Sequence, residues 1–136
     1  MSATVIIPTT GSSDLKKAIE SVLNQTYKTN LYLVTDGPEY DDKVDDIINS
    51  IDNDFFDSYF CSLGQNVGAN GFYGHRIYAA FTHLINTDYV LYLDQDCWME
   101  PNHVESLVNT IESNKDRKST RLNSSHVALS RMPSSA

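Results

Sequence analysis

Positive charge is scarce in this sequence. Ten lysines and arginines face 18 aspartates and glutamates over 136 residues, for a net charge of −8. That balance excludes a general nucleic-acid binder, because neutralising phosphates needs clustered Lys and Arg. Cysteine is nearly missing too: Cys61 and Cys97 stand in no metal-ligand spacing, which fits two free thiols in a reducing compartment. No unbroken apolar run is longer than Tyr89–Leu93, far short of the ~20 residues that cross a bilayer. The N-terminus has neither the basic region nor the apolar stretch of a secretory signal. The expected location is the cytoplasm, with a peripheral position at the cytoplasmic membrane face as the variant. Three catalytic signatures are also wanting. No Gly-x-Gly-x-x-Gly follows the first strand, no Gly-x-x-x-x-Gly-Lys-Ser/Thr occurs, and no Gly-x-Ser-x-Gly elbow occurs. A dinucleotide dehydrogenase and a P-loop enzyme are thereby set aside.

What is present divides at residue 116. Residues 116–136 carry Arg117, Lys118, Arg121 and Arg131 against a lone acid, Asp116, with six serines and no aromatic. Residues 1–115 hold 17 acids and 6 bases, a charge of −11. The string Asp116–His126 resembles one translated frame of a common sequencing-library adapter, and Ser130–Ala136 resembles the constant segment after its barcode. Val127, Ala128 and Leu129 fall where the barcode would lie. The expected organisation is the N-terminal part of one domain over 1–115, followed by a non-native, disordered tail over 116–136. Arg121, His126 and the sequon at Asn123 receive no functional reading.

Within 1–115, β-like runs alternate with amphipathic ones. Thr4–Pro8, Leu31–Asp36, Ser58–Leu63 and Asp88–Asp94 read as strands, each short and rich in β-branched or aromatic residues. Leu15, Ile19, Val22 and Leu23 mark a first helix that should end near Tyr27. Val44, Ile47, Ile48 and Ile51 mark a second, and Ile77, Ala80, Phe81 and Leu84 a third. Pro101 stands at the start of a fourth, with Val104, Leu107, Val108 and Ile111 on one face. This alternation predicts an α/β fold with a mostly parallel sheet covered on both faces. Ligands of such sheets bind beyond the carboxyl ends of the strands. The residues at those ends are Thr9, Thr10, Thr35, Asp36, Asn66 and Asp94–Asp96.

Asp94-Gln95-Asp96 is the sharpest of them. Alternate residues of an extended chain point the same way, so both carboxylates could face one hard divalent ion. An Asx turn closing a strand is the plain alternative. Asp36, before Gly37, could accept hydrogen bonds from a base or ribose, or could simply form a turn. Arg76 is the sole arginine before residue 117, suited either to a diphosphate or to a surface ion pair. His75, His83 and His103 share no ligand spacing, and Trp98 suits a sugar face or the core.

The ordered set resembles a family-2-type glycosyltransferase of the GT-A fold. It comprises Val5-Ile-Ile-Pro-Thr9, Ser21-Val-Leu-Asn-Gln-Thr-Tyr27, Val34-Thr-Asp-Gly37, Asn66-Val-Gly68 and Tyr92-Leu-Asp-Gln-Asp96, with Pro101 following. The resemblance implies a Rossmann-like nucleotide-sugar-binding fold, here truncated to its donor half. It implies transfer of a sugar from a nucleotide-diphosphate donor, a UDP-sugar foremost, to a glycan, lipid or protein acceptor, with inversion and with Mg²⁺ or Mn²⁺. It places Thr9 near the nucleoside, Asp36 at the base, Asp94 at ribose or metal, Asp96 on the metal and Arg76 in a nucleotide-binding stretch. Thr35 stands where the family often has an aspartate, and Pro38 where it usually has a serine. The acceptor half, with its general base, is missing by the same resemblance, and Glu100 and Glu105 follow Asp96 too closely to serve. The fragment alone is therefore expected to be inactive. A binding-only nucleotide or sugar module and a sugar nucleotidyltransferase are the competing readings.

Overall fold

A computed structural model describes residues 2–55 and 57–114. The expected tail, 116–136, lies outside the described residues. The chain forms β1 (Ala3–Thr9), α1 (Leu15–Leu23), β2 (Thr29–Thr35), a short 3₁₀ turn (Pro38–Tyr40), α2 (Asp41–Asn49), β3 (Ser58–Ser62), α3 (His75–Thr82), β4 (Tyr89–Tyr92) and α4 (His103–Ser113). The four strands make one sheet in the order β3-β2-β1-β4, and every pairing is parallel. The fold class is the α/β class that the alternation predicts.

β1 is central and buried along its whole length, which its unbroken Val-Ile-Ile run requires. Its odd and even residues feed different layers. Val5 and Ile7 join Leu15, Ile19 and Val22 of α1, Val44 of α2, and Val104, Leu107 and Val108 of α4. Ile6 joins Val34 of β2 and Ile77, Tyr78 and Phe81 of α3. Among the described residues α1, α2 and α4 thus cover one face and α3 the other. The chain moves outward from β1 to β3, and α3 then carries it back across the sheet to β4 on the far side of β1. The loops after β1 and β4 therefore meet at the carboxyl edge, where an open α/β sheet has its ligand crevice.

Three details differ from the sequence expectation. α1 stops at Leu23 rather than near Tyr27, because the next residues bond elsewhere. Gln25 donates from Nε2 to the Glu100 carbonyl at 2.7 Å and accepts from the Val104 N–H at 3.0 Å. Gln25 thus caps α4 from another element, and the Thr26 N–H reinforces the seam by donating to the Pro101 carbonyl at 2.8 Å. α3 buries Ile77, Tyr78 and Phe81, while Ala80 and Leu84 face outward. The helix ends at Thr82, so Leu84 falls past its last turn. β4 spans only Tyr89–Tyr92, because the Cys97 N–H closes a turn onto the Asp94 carbonyl at 3.1 Å.

Candidate functional site

A cavity of about 630 Å³ opens at the carboxyl edge of the sheet. Thr9, Thr10 and Ser12 from the loop after β1 line it, as do Asp36 after β2 and Asp94, Gln95 and Asp96 after β4. Gly68, Tyr73 and Gly74 from the loop before α3, with His75 as the first residue of α3, complete much of its wall. Four of the five expected site residues, Thr9, Asp36, Asp94 and Asp96, therefore share one cavity. Arg76 does not line it. Its guanidinium lies over the Phe72 ring, 3.5 Å from the centroid, with Nη1 at 3.5 Å from the Val67 carbonyl.

Asp36 is 3% exposed, and the backbone around it explains how a carboxylate is kept there. Oδ1 accepts the Val67 N–H at 2.7 Å and Oδ2 accepts the Gly68 N–H at 3.0 Å. The Asn66 amide donates to the Asp36 carbonyl at 3.0 Å. Hydrogen bonds to an ionised acceptor are the strong kind, so one side chain fixes the loop that follows β3. The approach is close enough to demand glycine. A Cβ at Gly68 would lie 2.4 Å from the Tyr73 carbonyl oxygen and 2.7 Å from Asp36 Oδ2. Tyr73 itself, at φ 49°, is 75% exposed at the rim of the cavity. A carboxylate has about four lone-pair sites, so Asp36 keeps acceptor capacity toward the cavity while it holds the loop.

Asp94-Gln95-Asp96 sits on the turn rather than on extended chain, yet its carboxylates still converge. Asp94, Asp96 and Cys97 each offer one ligand atom, and these atoms lie within 4.8 Å of one another. Both aspartates are exposed. Burial, then the hydrogen bond to Asp96 and the charges of Asp96 and Asp94, push the Cys97 thiol up to about 11. It stays protonated and donates to Asp96 Oδ1 at 3.5 Å. The hard oxygen donors set the chemistry of this pair, and they fit Mg²⁺ or Mn²⁺.

The residues that the sequence did not single out are those that hold the others. Tyr78 donates from its hydroxyl to Asp94 Oδ1 at 2.6 Å. Gln95 turns its carboxamide toward the β1 loop, where Oε1 accepts from Thr9 Oγ1, the Thr10 N–H and the Ser12 N–H. Tyr40 and His75 also line the cavity. Tyr78 could have been found from Ile77, Tyr78 and Phe81 forming one helical stripe. Nothing in an isolated Gln announces such a bridge. Glu100 and Glu105 lie on the α1–α4 seam, where the Glu100 carbonyl and Glu105 Oε2 accept from Gln25 and Thr26. Neither lines the cavity.

The model of glycosyl transferase family 2 matches residues 4–118 of the chain. No curated protein sequence matches significantly. Among solved structures, S. aureus TarS is similar over 85% of this chain at 16% identity, with a TM-score of 0.64. The chain spans 20% of that protein. TarS 1–349 in complex with UDP is similar at 16% identity and a TM-score of 0.64, over 85% of this chain and 33% of that one. CMP:2-keto-3-deoxy-manno-octonic acid synthetase complexed with CTP has a TM-score of 0.57 at 18% identity, over 85% of this chain and 49% of that one. These likenesses establish a GT-A-like fold, and the chain spans between a fifth and a half of the three structures named.

Proposed function

Because the chain belongs to glycosyl transferase family 2, we propose that its cavity is the donor half of a site that transfers a sugar from a nucleoside-diphosphate sugar, with inversion. One observation carries the reading: Thr9, Asp36, Asp94 and Asp96 line one cavity at the carboxyl edge of a parallel sheet. Asp36 takes the nucleoside, its carboxylate presenting spare lone pairs to a base or ribose donor. Asp94 and Asp96 hold a divalent ion and, through it, the diphosphate. When bound, that ion supplies Lewis-acid neutralisation of the charge that develops on the departing nucleoside diphosphate. Thr9 is 1% exposed, and its hydroxyl is already engaged with Gln95 and the Gly11 N–H, so its part is to shape the nucleoside end. Arg76 would have to leave Phe72 to reach a diphosphate; in its place here it backs the loop that Asp36 holds.

The donor is a nucleotide sugar, a UDP-sugar foremost, which the UDP complex of TarS supports by analogy of fold. The acceptor is a hydroxyl of a glycan, lipid or protein. Among the described residues no helix is long and apolar enough to cross a membrane. Residues 1–115 are proposed as the natural donor-binding part and 116–136 as a non-native addition. No residue here is assigned as the general base, and the chain alone is proposed to bind donor without transferring sugar.

A nucleotidyltransferase reading would use the N–H groups of the loop after β1 to cradle phosphates. Here the Thr10, Gly11 and Ser12 N–H groups already donate to Gln95 and Thr9, which favours the transferase reading. Calorimetric titration with UDP, with and without Mn²⁺, tests the assignment. Mn²⁺ should tighten UDP binding to the wild-type chain and leave Asp96→Asn unaffected. An equal Mn²⁺ effect in both would reduce Asp94-Gln95-Asp96 to a turn and remove the site.

A further inference from the structure

The two ends of the cavity are built from loops about 85 residues apart in sequence, and one side chain joins them. Gln95 Oε1 accepts from Thr9 Oγ1 at 2.7 Å, from the Thr10 N–H at 3.0 Å and from the Ser12 N–H at 3.2 Å. Its Nε2 donates to Thr10 Oγ1 at 3.1 Å. Thr9 Oγ1 in turn accepts the Gly11 N–H at 3.0 Å, and Gly11, at φ 79°, provides the bend that points these donors inward. The loop after β1 is therefore wrapped around one carboxamide. That carboxamide sits between the two aspartates and rides on the turn closed by Cys97 and Asp94.

A side chain bonded this way cannot move without its own backbone, nor can the loop move without it. A shift of the Asp94–Asp96 turn changes the position of Oε1, and three donors of the β1 loop must follow or lose their acceptor. Three donors converging on one carbonyl also exceed what any single neighbouring group could replace, so the link runs through Gln95 alone among the described hydrogen bonds.

We propose that Gln95 is a positioning residue that couples the two ends of the donor site, so that a divalent ion on Asp94 and Asp96 strengthens binding at the nucleoside end through protein. This deepens the proposed function and rests on it. The energetics follow linkage: an ion that sets the position of the turn sets the β1 loop with it through Gln95, and the nucleoside then binds a loop already placed. The effect differs from the direct bridge between ion and diphosphate, because it acts on a ligand that carries no phosphate.

Uridine is the probe that separates the two. In the wild-type chain Mn²⁺ should tighten uridine binding about fivefold, the lower end of ordinary site-to-site coupling. Gln95→Met keeps the side-chain length and removes the acceptor; its uridine affinity should be the same with and without Mn²⁺. Gln95→Glu keeps an oxygen that can accept from Thr9, Thr10 and Ser12, and should restore a Mn²⁺ dependence. A merely structural Gln95 would change the melting temperature of Gln95→Met and leave the ratio of the two affinities intact. Persistence of the wild-type ratio in Gln95→Met, or a wild-type chain that binds UDP yet whose uridine affinity ignores Mn²⁺, overturns the inference alone. Failure of the wild-type chain to bind UDP at all overturns the donor-site reading, and the coupling with it.

Discussion

The hydroxyl of Tyr78 donates to Asp94 Oδ1 at 2.6 Å, joining α3 to the turn that carries the paired aspartates. The ring is held on its own account. It packs in the apolar layer with Ile6, Val34 and Phe81, and lies 4.8 Å from the Tyr92 ring at an interplanar angle of 52°. Tyr92 belongs to β4, which leads directly into the turn. A rigid donor thus fixes one of two exposed carboxylates, and the other, Asp96, is left to the thiol of Cys97.

Replacing Tyr78 by Phe should separate orientation from packing. The ring stays, so stability should fall by no more than about 1 kcal/mol, the net contribution of an ordinary hydrogen bond. Asp94 loses its fixed rotamer, and Mn²⁺-dependent UDP affinity should weaken about three- to tenfold. Calorimetry gives the affinity and thermal unfolding the stability. An unchanged affinity would mean that Asp94 orients itself without Tyr78.

How far the sequence revealed this arrangement depends on the scale of the signal. Thr4–Pro8 and Leu31–Asp36 read clearly as strands because a buried parallel strand is apolar on both faces, and β1 and β2 are found there. Asp36, Asp94 and Asp96 could be singled out because strand ends in an α/β sheet are where polar groups meet ligands. The bridges were not legible. Gln95 reads as the spacer between two aspartates, and only the folded turn shows its carboxamide gathering three donors. Tyr78 is legible only from the stripe Ile77, Tyr78 and Phe81, and a stripe drawn through Ala80 and Leu84 passes it by; the helix ends at Thr82 and leaves Leu84 64% exposed. The turn at Asp94–Cys97 also replaces the extended chain assumed for the carboxylates, which converge all the same.

Asp36 serves a loop as well as a ligand, and its substitutions should show both. In Asp36→Asn one of the Val67 and Gly68 N–H groups faces an amide NH₂ instead of an oxygen. A buried donor without its acceptor costs about 1–3 kcal/mol, so thermal unfolding should register the change. UDP affinity should fall alike with and without Mn²⁺, since the metal end is untouched. Gly68→Ala should reproduce both effects with Asp36 intact, because its Cβ collides with the Tyr73 carbonyl oxygen at 2.4 Å. Full UDP binding in Gly68→Ala would show that the loop does not set the nucleoside end.

Gln25 offers a stability test remote from the cavity. Its amide satisfies the Val104 N–H at the start of α4 and the Glu100 carbonyl before it. Helix-start N–H groups have no partner within their own helix, and losing a side-chain cap costs typically about 1 kcal/mol. Gln25→Ala should therefore destabilise the chain by about 1–2 kcal/mol, with UDP affinity unchanged once the chain is folded. Chemical denaturation checks the first part and calorimetry the second. A neutral substitution would mean that water replaces Gln25 at no cost.

His103, in the first turn of α4, supplies the pH dependence. It is half-buried, Nε2 has no hydrogen-bond partner among the described residues, and desolvation lowers its pKa below the usual histidine value. An unfolded chain takes up a proton at this histidine near pH 6.5, whereas the folded chain resists until a lower pH. Between those two values the unfolded state holds the extra proton, so acidification favours it. The contribution of His103 is thus fully present above about pH 6.5 and is lost as pH falls toward the folded pKa. Carboxylates titrate over part of the same range, which makes a difference between variants the quantity to measure. His103→Leu fills a comparable volume and cannot take up the proton. Its denaturation midpoint should fall less than that of the wild type between about pH 7 and 5. Parallel pH profiles for the two chains would mean that the His103 imidazole charges as readily in the fold as in water.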